Sequence, residues 1–272
     1  MKRIARSILF VPGNRPDRFE KAMSSGAHLI AIDLEDAVSP RDKSQARAAT
    51  AAWLAQGHVA AVRINAADTE WFNDDIKMMA EAPAAIVMLP KADLASLMET
   101  QEALSDHSLI ALIETVKGYK ELERVAEVPG LTRIAFGSID FGTETGITDD
   151  ANAMTSVRTQ IIIESCFANL EPPIDGVSVA FQDADQIEQD AFRSRQLGFG
   201  GKLCIHPKQV SAVNKSFQPD SAQVDWAKRV VAAMESSDGG ATTVDGKMVD
   251  KPVVIQAHRI LADFEHSHER TL

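Results

Sequence analysis

At 272 residues the chain is long enough to bury one large core without dividing. A net charge of −11 and 6% aromatic residues, with Tyr119 the single tyrosine, exclude a nucleic-acid footprint and an anionic membrane surface. An anionic small molecule, which needs only a local basic patch, stays open.

The N-terminal MKRIARSILFVPGN has an apolar run too short for a secretory signal, stopped by Pro12-Gly13. No segment approaches membrane-spanning length, so a cytoplasmic location is expected. Strand-like and helix-like runs then alternate almost throughout. Strand Ser7–Val11 leads to a helix over Pro16–Met23. Strand Leu29–Asp33 leads to a helix over Pro40–Gln56, marked by Ser39-Pro40 at its start and Gly57 at its stop. Strands at Val59–Ile64, Ala85–Leu89, Leu109–Ile113, Thr132–Phe136, Ile174–Val177 and Gly201–Ile205 continue the series. Between and after them, helices are predicted over Glu70–Ala80, Leu94–Leu104, Lys117–Val125, Ala153–Leu170, Asp183–Leu197 and Pro207–Lys215.

Strict alternation of this kind predicts parallel strands joined by right-handed crossovers, an α/β fold. Eight units in this length fit a (β/α)8 TIM barrel over residues 1–220, and no GxGxxG follows the first strand. Residues 221–272 read as a C-terminal helical arm, either part of the same domain or swapped onto a neighbouring subunit. It comprises a helix at Ser221–Ser236, a stretch containing Gly239, Gly240 and Gly246, and a helix at Pro252–His266. Cys166 and Cys204 lie far apart without a CxxC and read as buried free thiols.

Active sites of such barrels lie at the C-terminal ends of the strands, and charged residues collect there. Leu109–Ile113 ends in Glu114, and Arg133–Phe136 leads through Gly137-Ser138-Ile139 to Asp140. Two strand-end carboxylates suit Mg²⁺ or Mn²⁺, or they cap the helices that follow. Arg63 either steadies an oxygen that becomes negative during reaction or forms a buried ion pair with Glu35, Asp36 or Glu114. Lys91 is a Schiff-base candidate or a salt-bridge partner in an acidic ring. The Gly137–Asp140 turn offers backbone N–H groups to a small carboxylate, or its glycine only relieves a tight turn. His206 reads as a loop residue, and His266 and His268 as part of a polar tail.

The motifs RSILFVPGNRPDRFEKA, IAIDLEDAV, VRINAADTEW, VMLPKA, LIALIETVKGY, IAFGSIDFGTETG and GKLCIHPKQV, in this order, resemble the HpcH/HpaI aldolase and citrate lyase β-subunit-like family. The resemblance spans essentially the whole chain. It implies a homotrimeric or hexameric TIM barrel that binds Mg²⁺ and acts on acyl-CoA or acyl-carrier thioesters. Glu114 and Asp140 resemble the metal ligands, with Glu35 and Asp36 the acids around them. Arg63 resembles the arginine at the enolate oxygen, and Gly137, Ser138 and Ile139 resemble the cradle for a 2-oxo acid carboxylate. Asn14, Arg15 and Arg18 fall where the family approaches coenzyme A. DGKMVDKP is similar to a segment of malyl-CoA, β-methylmalyl-CoA and citramalyl-CoA lyases. There an aspartate at the position of Asp250 comes from a neighbouring subunit as acid/base. The activity implied is Mg²⁺-dependent cleavage or formation of a 3-hydroxyacyl-CoA such as malyl-CoA or citramalyl-CoA, giving acetyl-CoA and a 2-oxo acid. A citrate lyase β subunit in a multi-subunit complex, or a non-catalytic CoA- or metabolite-binding protein of the same fold, are the alternatives.

Overall fold

Each apolar run carries aliphatic residues toward both faces, so each needs cover on both, as strands of a helix-wrapped parallel sheet have. A computed structural model of the protein describes residues 4–82, 85–236 and 242–268; Gly239 and Gly240 lie outside them. The runs form β1 (Ser7–Pro12), β2 (Leu29–Asp33), β3 (Ala61–Arg63), β4 (Ile86–Leu89), β5 (Leu109–Ile113), β6 (Leu131–Phe136), β7 (Ile174–Asp175) and β8 (Gly201–Cys204). All neighbours pair in parallel, and β8 closes onto β1 through Ser7↔Lys202 and Ile8↔Leu203. The expected (β/α)8 barrel is the observed fold.

Around it lie α1 (Phe19–Met23), α2 (Lys43–Leu54), α3 (Phe72–Ala80), α4 (Leu94–Ala103), α5 (Val116–Lys120), α6 (Leu122–Ala126), α7 (Ser138–Thr145), α8 (Thr155–Phe167), α9 (Ala184–Leu197) and α10 (Pro207–Ser216). The predicted helix 117–125 breaks at Glu121, whose carboxylate accepts the N–H of Leu94 at 2.9 Å and ties the bend to α4. Cys166 is exposed, because it lies on an outward position of α8; only Cys204 is buried. Burial pushes the Cys204 thiol up to about 12.

Every strand contributes to one interior cluster: Ile8, Ala31, Ala61, Met88, Ile110, Leu112, Ala135, Ile174 and Leu203. Each large aliphatic chain removed from water there stabilises the fold by about 1.5–3 kcal/mol. Buried charges are held within this apolar frame. Arg133 donates to the carbonyls of Pro172 and Ala5, each at 2.8 Å, and its burial lowers its pKa to about 10. Asp175 is fully buried against Arg158 at 2.8 Å and Lys202 at 3.8 Å. Burial opposes its charge, but Lys202 and Arg158 hold it below the usual carboxylate range. These contacts also explain why β7 is two residues rather than four. The Gly176 N–H turns onto Asp175 (2.9 Å) and its carbonyl takes the Lys202 ammonium (2.6 Å), so the ladder stops.

Residues Ile4–Asn214 form one compact unit, and the chain from Lys215 forms a second. The second holds α11 (Ser221–Ser236), a hairpin of β9 (Thr242–Val244) and β10 (Lys247–Val249), and α12 (Lys251–His268). Ala227, Val230, Val249 and Ala257 make its core. The hairpin turns on Asp245-Gly246, both at positive φ (51° and 73°), as a two-residue turn between twisted strands requires. Among the described residues no helix is long and apolar enough to cross a membrane.

Candidate active site

The C-terminal ends of β1, β2, β3, β5, β6, β7 and β8 surround a cavity of about 400 Å³. Its walls are mixed: Phe10, Leu112, Phe136 and Leu203 are apolar, whereas Asp33, Asp36, Arg63, Glu114, Ser138 and Asp140 are not. The strand register explains the closest pair. Asp33 ends β2 directly opposite Arg63 on β3, and the guanidinium lies across the Phe10 ring at 4.8 Å. Arg63 donates from Nε to Asp33 Oδ1 (2.8 Å) and from Nη2 to Asp33 Oδ2 (2.6 Å), a parallel two-bond fork. Its Nη1 lies 3.0 Å from Glu35 Oε2 and 3.8 Å from Asp36 Oδ2. Burial opposes the charge on Arg63, but Asp33, then Glu35 and Glu114, outweigh it and raise its pKa. Arg63 is thus ion-paired with Glu35 and Asp36, two of the three acids considered from sequence, and its two-bond partner is a fourth acid, Asp33.

Glu114 is 2% exposed, and one of its oxygens accepts the Lys91 N–H at 2.8 Å. Burial, then the charge of Glu35, push its carboxyl up to about 8, with Asp140 adding to the rise. Lys91 makes this contact in a left-handed conformation, φ 48°, and sends its ammonium 3.2 Å from Glu35. Burial opposes that charge, but Glu35 holds the Lys91 pKa above its ordinary value, which counts against a Schiff-base role. Asp140 is exposed at the cavity mouth, in the first turn of α7. No group of three His, Cys, Asp or Glu able to hold a metal occurs among the described residues. A pair of hard carboxylates, one of them buried, fits Mg²⁺, which takes one or two such ligands and keeps waters.

Gly137 departs from its expected part as a donor. Its N–H is already bonded to the Ile113 carbonyl (2.9 Å), so the free N–H groups of the α7 N-terminus begin at Ser138. What Gly137 supplies is space: a Cβ there would lie 2.5 Å from both Cβ and Oε2 of Glu114. Ser138 Oγ is buried at the cavity wall without a protein hydrogen-bond partner. Ile139 also lines the cavity, half exposed.

Three expected residues stand apart from the cavity lining, in the connection after β1. Asn14 reaches Asp42 at 3.4 Å, Arg15 forks onto Asp17 at 2.8–2.9 Å, and Arg18 is exposed. Asp250 belongs to the second unit, where its carboxylate accepts the Val253 N–H (3.3 Å) and caps α12. Sequence reasoning missed the parts played by Asp33 and Lys43. Lys43 is buried in α2 and donates to the carbonyls of Leu34 (2.6 Å) and Glu35 (2.7 Å) and to Asn65 Oδ1 (2.5 Å). The only trace of Asp33 in the sequence is an acid ending the run before the Arg63 strand, and the register is needed to pair the two.

A TIM barrel whose C-terminal mouth carries paired carboxylates, a forked arginine and a helix N-terminus defines the class. The profile of HpcH/HpaI aldolase/citrate lyase matches residues 6–207. A (3S)-malyl-CoA thioesterase from Cereibacter sphaeroides is 34% identical over 270 residues, covering 96% of this chain and 94% of that protein. An L-malyl-CoA/β-methylmalyl-CoA lyase from Rhodobacter capsulatus is 31% identical over 306 residues, covering 97% and 95%. The CitE protein of Mycobacterium tuberculosis, solved with magnesium, acetoacetate and coenzyme A, superposes with a TM-score of 0.85 at 30% identity, covering 97% of this chain and 99% of that one. The chain belongs to the HpcH/HpaI aldolase/citrate lyase family.

Proposed function

We propose that this protein is a Mg²⁺-dependent carbon–carbon lyase acting on a 3-carboxy-3-hydroxyacyl-CoA such as malyl-CoA or citramalyl-CoA, in either direction. One observation carries the reading: Glu114, Asp140, Arg63 and the Ser138 end of α7 all line a single cavity. Glu114 and Asp140 would hold the metal, which when bound supplies Lewis-acid polarisation of the substrate's hydroxyl and carboxylate oxygens. Backbone N–H groups from Ser138 onward would hold the carboxylate at the positive end of α7. Cleavage releases the hydroxyl proton to water, turns the C–O bond into the carbonyl of the 2-oxo acid and passes the electron pair of the broken C–C bond to the thioester enolate. Arg63 has five N–H donors and gives two to Asp33, so others remain for the enolate oxygen. Asp250 is our candidate for protonating the enolate carbon, delivered by the arm of a neighbouring subunit in a trimer or hexamer.

A second reading, hydrolysis of the thioester, is favoured by the similarity to a (3S)-malyl-CoA thioesterase. One assay separates the two. Purified protein is incubated with malyl-CoA, citramalyl-CoA or citryl-CoA, with Mg²⁺ and with EDTA. Acetyl-CoA with a 2-oxo acid marks the lyase, whereas free CoA with the hydroxy acid marks the thioesterase. Turnover of none of the three would overturn both and leave a subunit that needs partners, or a binding protein.

A further inference from the structure

Asp33 is 2% exposed and lines the cavity, yet all of its bonding capacity is spent inside the protein. Oδ1 accepts Nε–H of Arg63 (2.8 Å) and the N–H of Glu35 (2.9 Å); Oδ2 accepts Nη2–H of Arg63 (2.6 Å) and the N–H of Ala37 (3.1 Å). One carboxylate thus fixes two things at once: the plane of the guanidinium and the turn that carries Glu35 and Asp36. We infer that Asp33 is the positioning residue of the site, fixing the plane in which Arg63 faces the thioester oxygen.

Competition among acids makes such a residue necessary. Arg63 faces four carboxylates, since Glu35, Asp36 and Glu114 also act on it. A guanidinium not forked by Asp33 is free to turn other edges onto any of them. Bidentate pairing fixes which edge faces which acid, leaving Nη1 toward Glu35, because two parallel bonds define orientation as well as distance. In Asp33→Asn the neutral amide keeps one acceptor oxygen for a turn N–H, but it has no second oxygen for the fork. A misplacement of about 1 Å in a group that stabilises developing charge costs on the order of 10²-fold in rate.

The inference rests on the lyase reading, so its test carries a readout that needs no substrate. In Asp33→Asn, kcat for malyl-CoA cleavage is expected to fall about 10²-fold with KM within about threefold, because the oxygen is charged only in the transition state. Arg63→Lys, which keeps the charge but not the fork, is expected to fall comparably. The second readout is solvent exchange of the Arg63 Nε–H by NMR, its peak assigned by its loss in Arg63→Lys. The exchange is expected to be slow in the wild type and as fast as at exposed arginines in Asp33→Asn. An unchanged exchange rate, or a normal kcat per folded Asp33→Asn molecule, would overturn the inference. If Asp33→Asn does not fold, rapid exchange in the wild type overturns it equally. A wild type inert toward every thioester sinks the lyase reading alone, and the exchange measurement still decides the role of Asp33.

Discussion

Glu114 sits where an ionised carboxylate is costly, and this has a consequence in pH. Its carboxyl is pushed from 4.5 up to about 8 in the folded chain, chiefly by burial and by Glu35. Between those values the folded protein binds more protons than the unfolded one, so stability falls as pH rises. The contribution is fully present below about 4.5 and gone above about 8. EDTA-treated protein is expected to melt at a lower temperature at pH 8 than at pH 5.5, and Mg²⁺ to restore the loss at pH 8. Glu114→Gln should flatten the difference; a wild-type Tm equal at both values without metal would refute the account. At this scale the sequence was partly legible. Glu114 and Arg63 announce themselves as charges ending apolar runs. The partner of Arg63 does not, because Asp33, Glu35 and Asp36 look alike until the β2–β3 register sets one opposite the arginine.

Turns between elements hold these side chains in place. Gly137 lets β6 pass against Glu114 before α7 begins, and any Cβ there would force the Glu114 side chain to shift. Gly137→Ala is expected to fold but to weaken Mg²⁺ binding about 10–100-fold, the usual effect of displacing a ligand's support. Calorimetric titration with Mg²⁺ checks this, and wild-type affinity would refute it. Lys43 supports the turn after β2 from α2, satisfying two carbonyls and Asn65, which in turn binds Asp75 at 2.6 Å. Lys43→Met leaves these acceptors buried and unmatched, for a loss of about 2–4 kcal/mol in urea unfolding. A loss below about 1 kcal/mol would show the turn is held otherwise. All eight strands were readable from hydrophobic runs alone. The length of β7, the break between α5 and α6, and the α7 helix were not, since each depends on a contact made across the fold. The β9–β10 hairpin was readable in principle: Asp245-Gly246 is the turn signal, masked by the Gly- and Thr-rich stretch around it.

For the whole molecule, the candidate residues divide between two compact units. The barrel unit holds Glu114, Asp140 and Arg63, while Asp250 lies in the other. If the arm serves a neighbouring subunit, Asp250→Asn and Arg63→Ala proteins, each inactive alone, should regain part of the wild-type activity after co-refolding. At most about a quarter of sites in a random mixture would carry neither substitution. No recovery would show that each site is completed within one chain, or that Asp250 serves only as the cap of α12. Resemblance supplied this hypothesis; the residues themselves show a helix cap.

Barrel closure has a consequence during synthesis. β1 ends at Pro12, but its second neighbour, β8, begins at Gly201, about 190 residues later. At ribosomal rates of about 5–20 residues per second, that edge waits roughly 10–40 s for its partner. For this interval Ser7–Pro12 is an aliphatic strand with unpaired N–H and C=O groups, a template for association with other nascent chains. A chain terminated before Gly201 is expected to accumulate as aggregate where the full chain stays soluble, and a soluble monomeric truncation would contradict this. The last strand made is thus the one that protects the first.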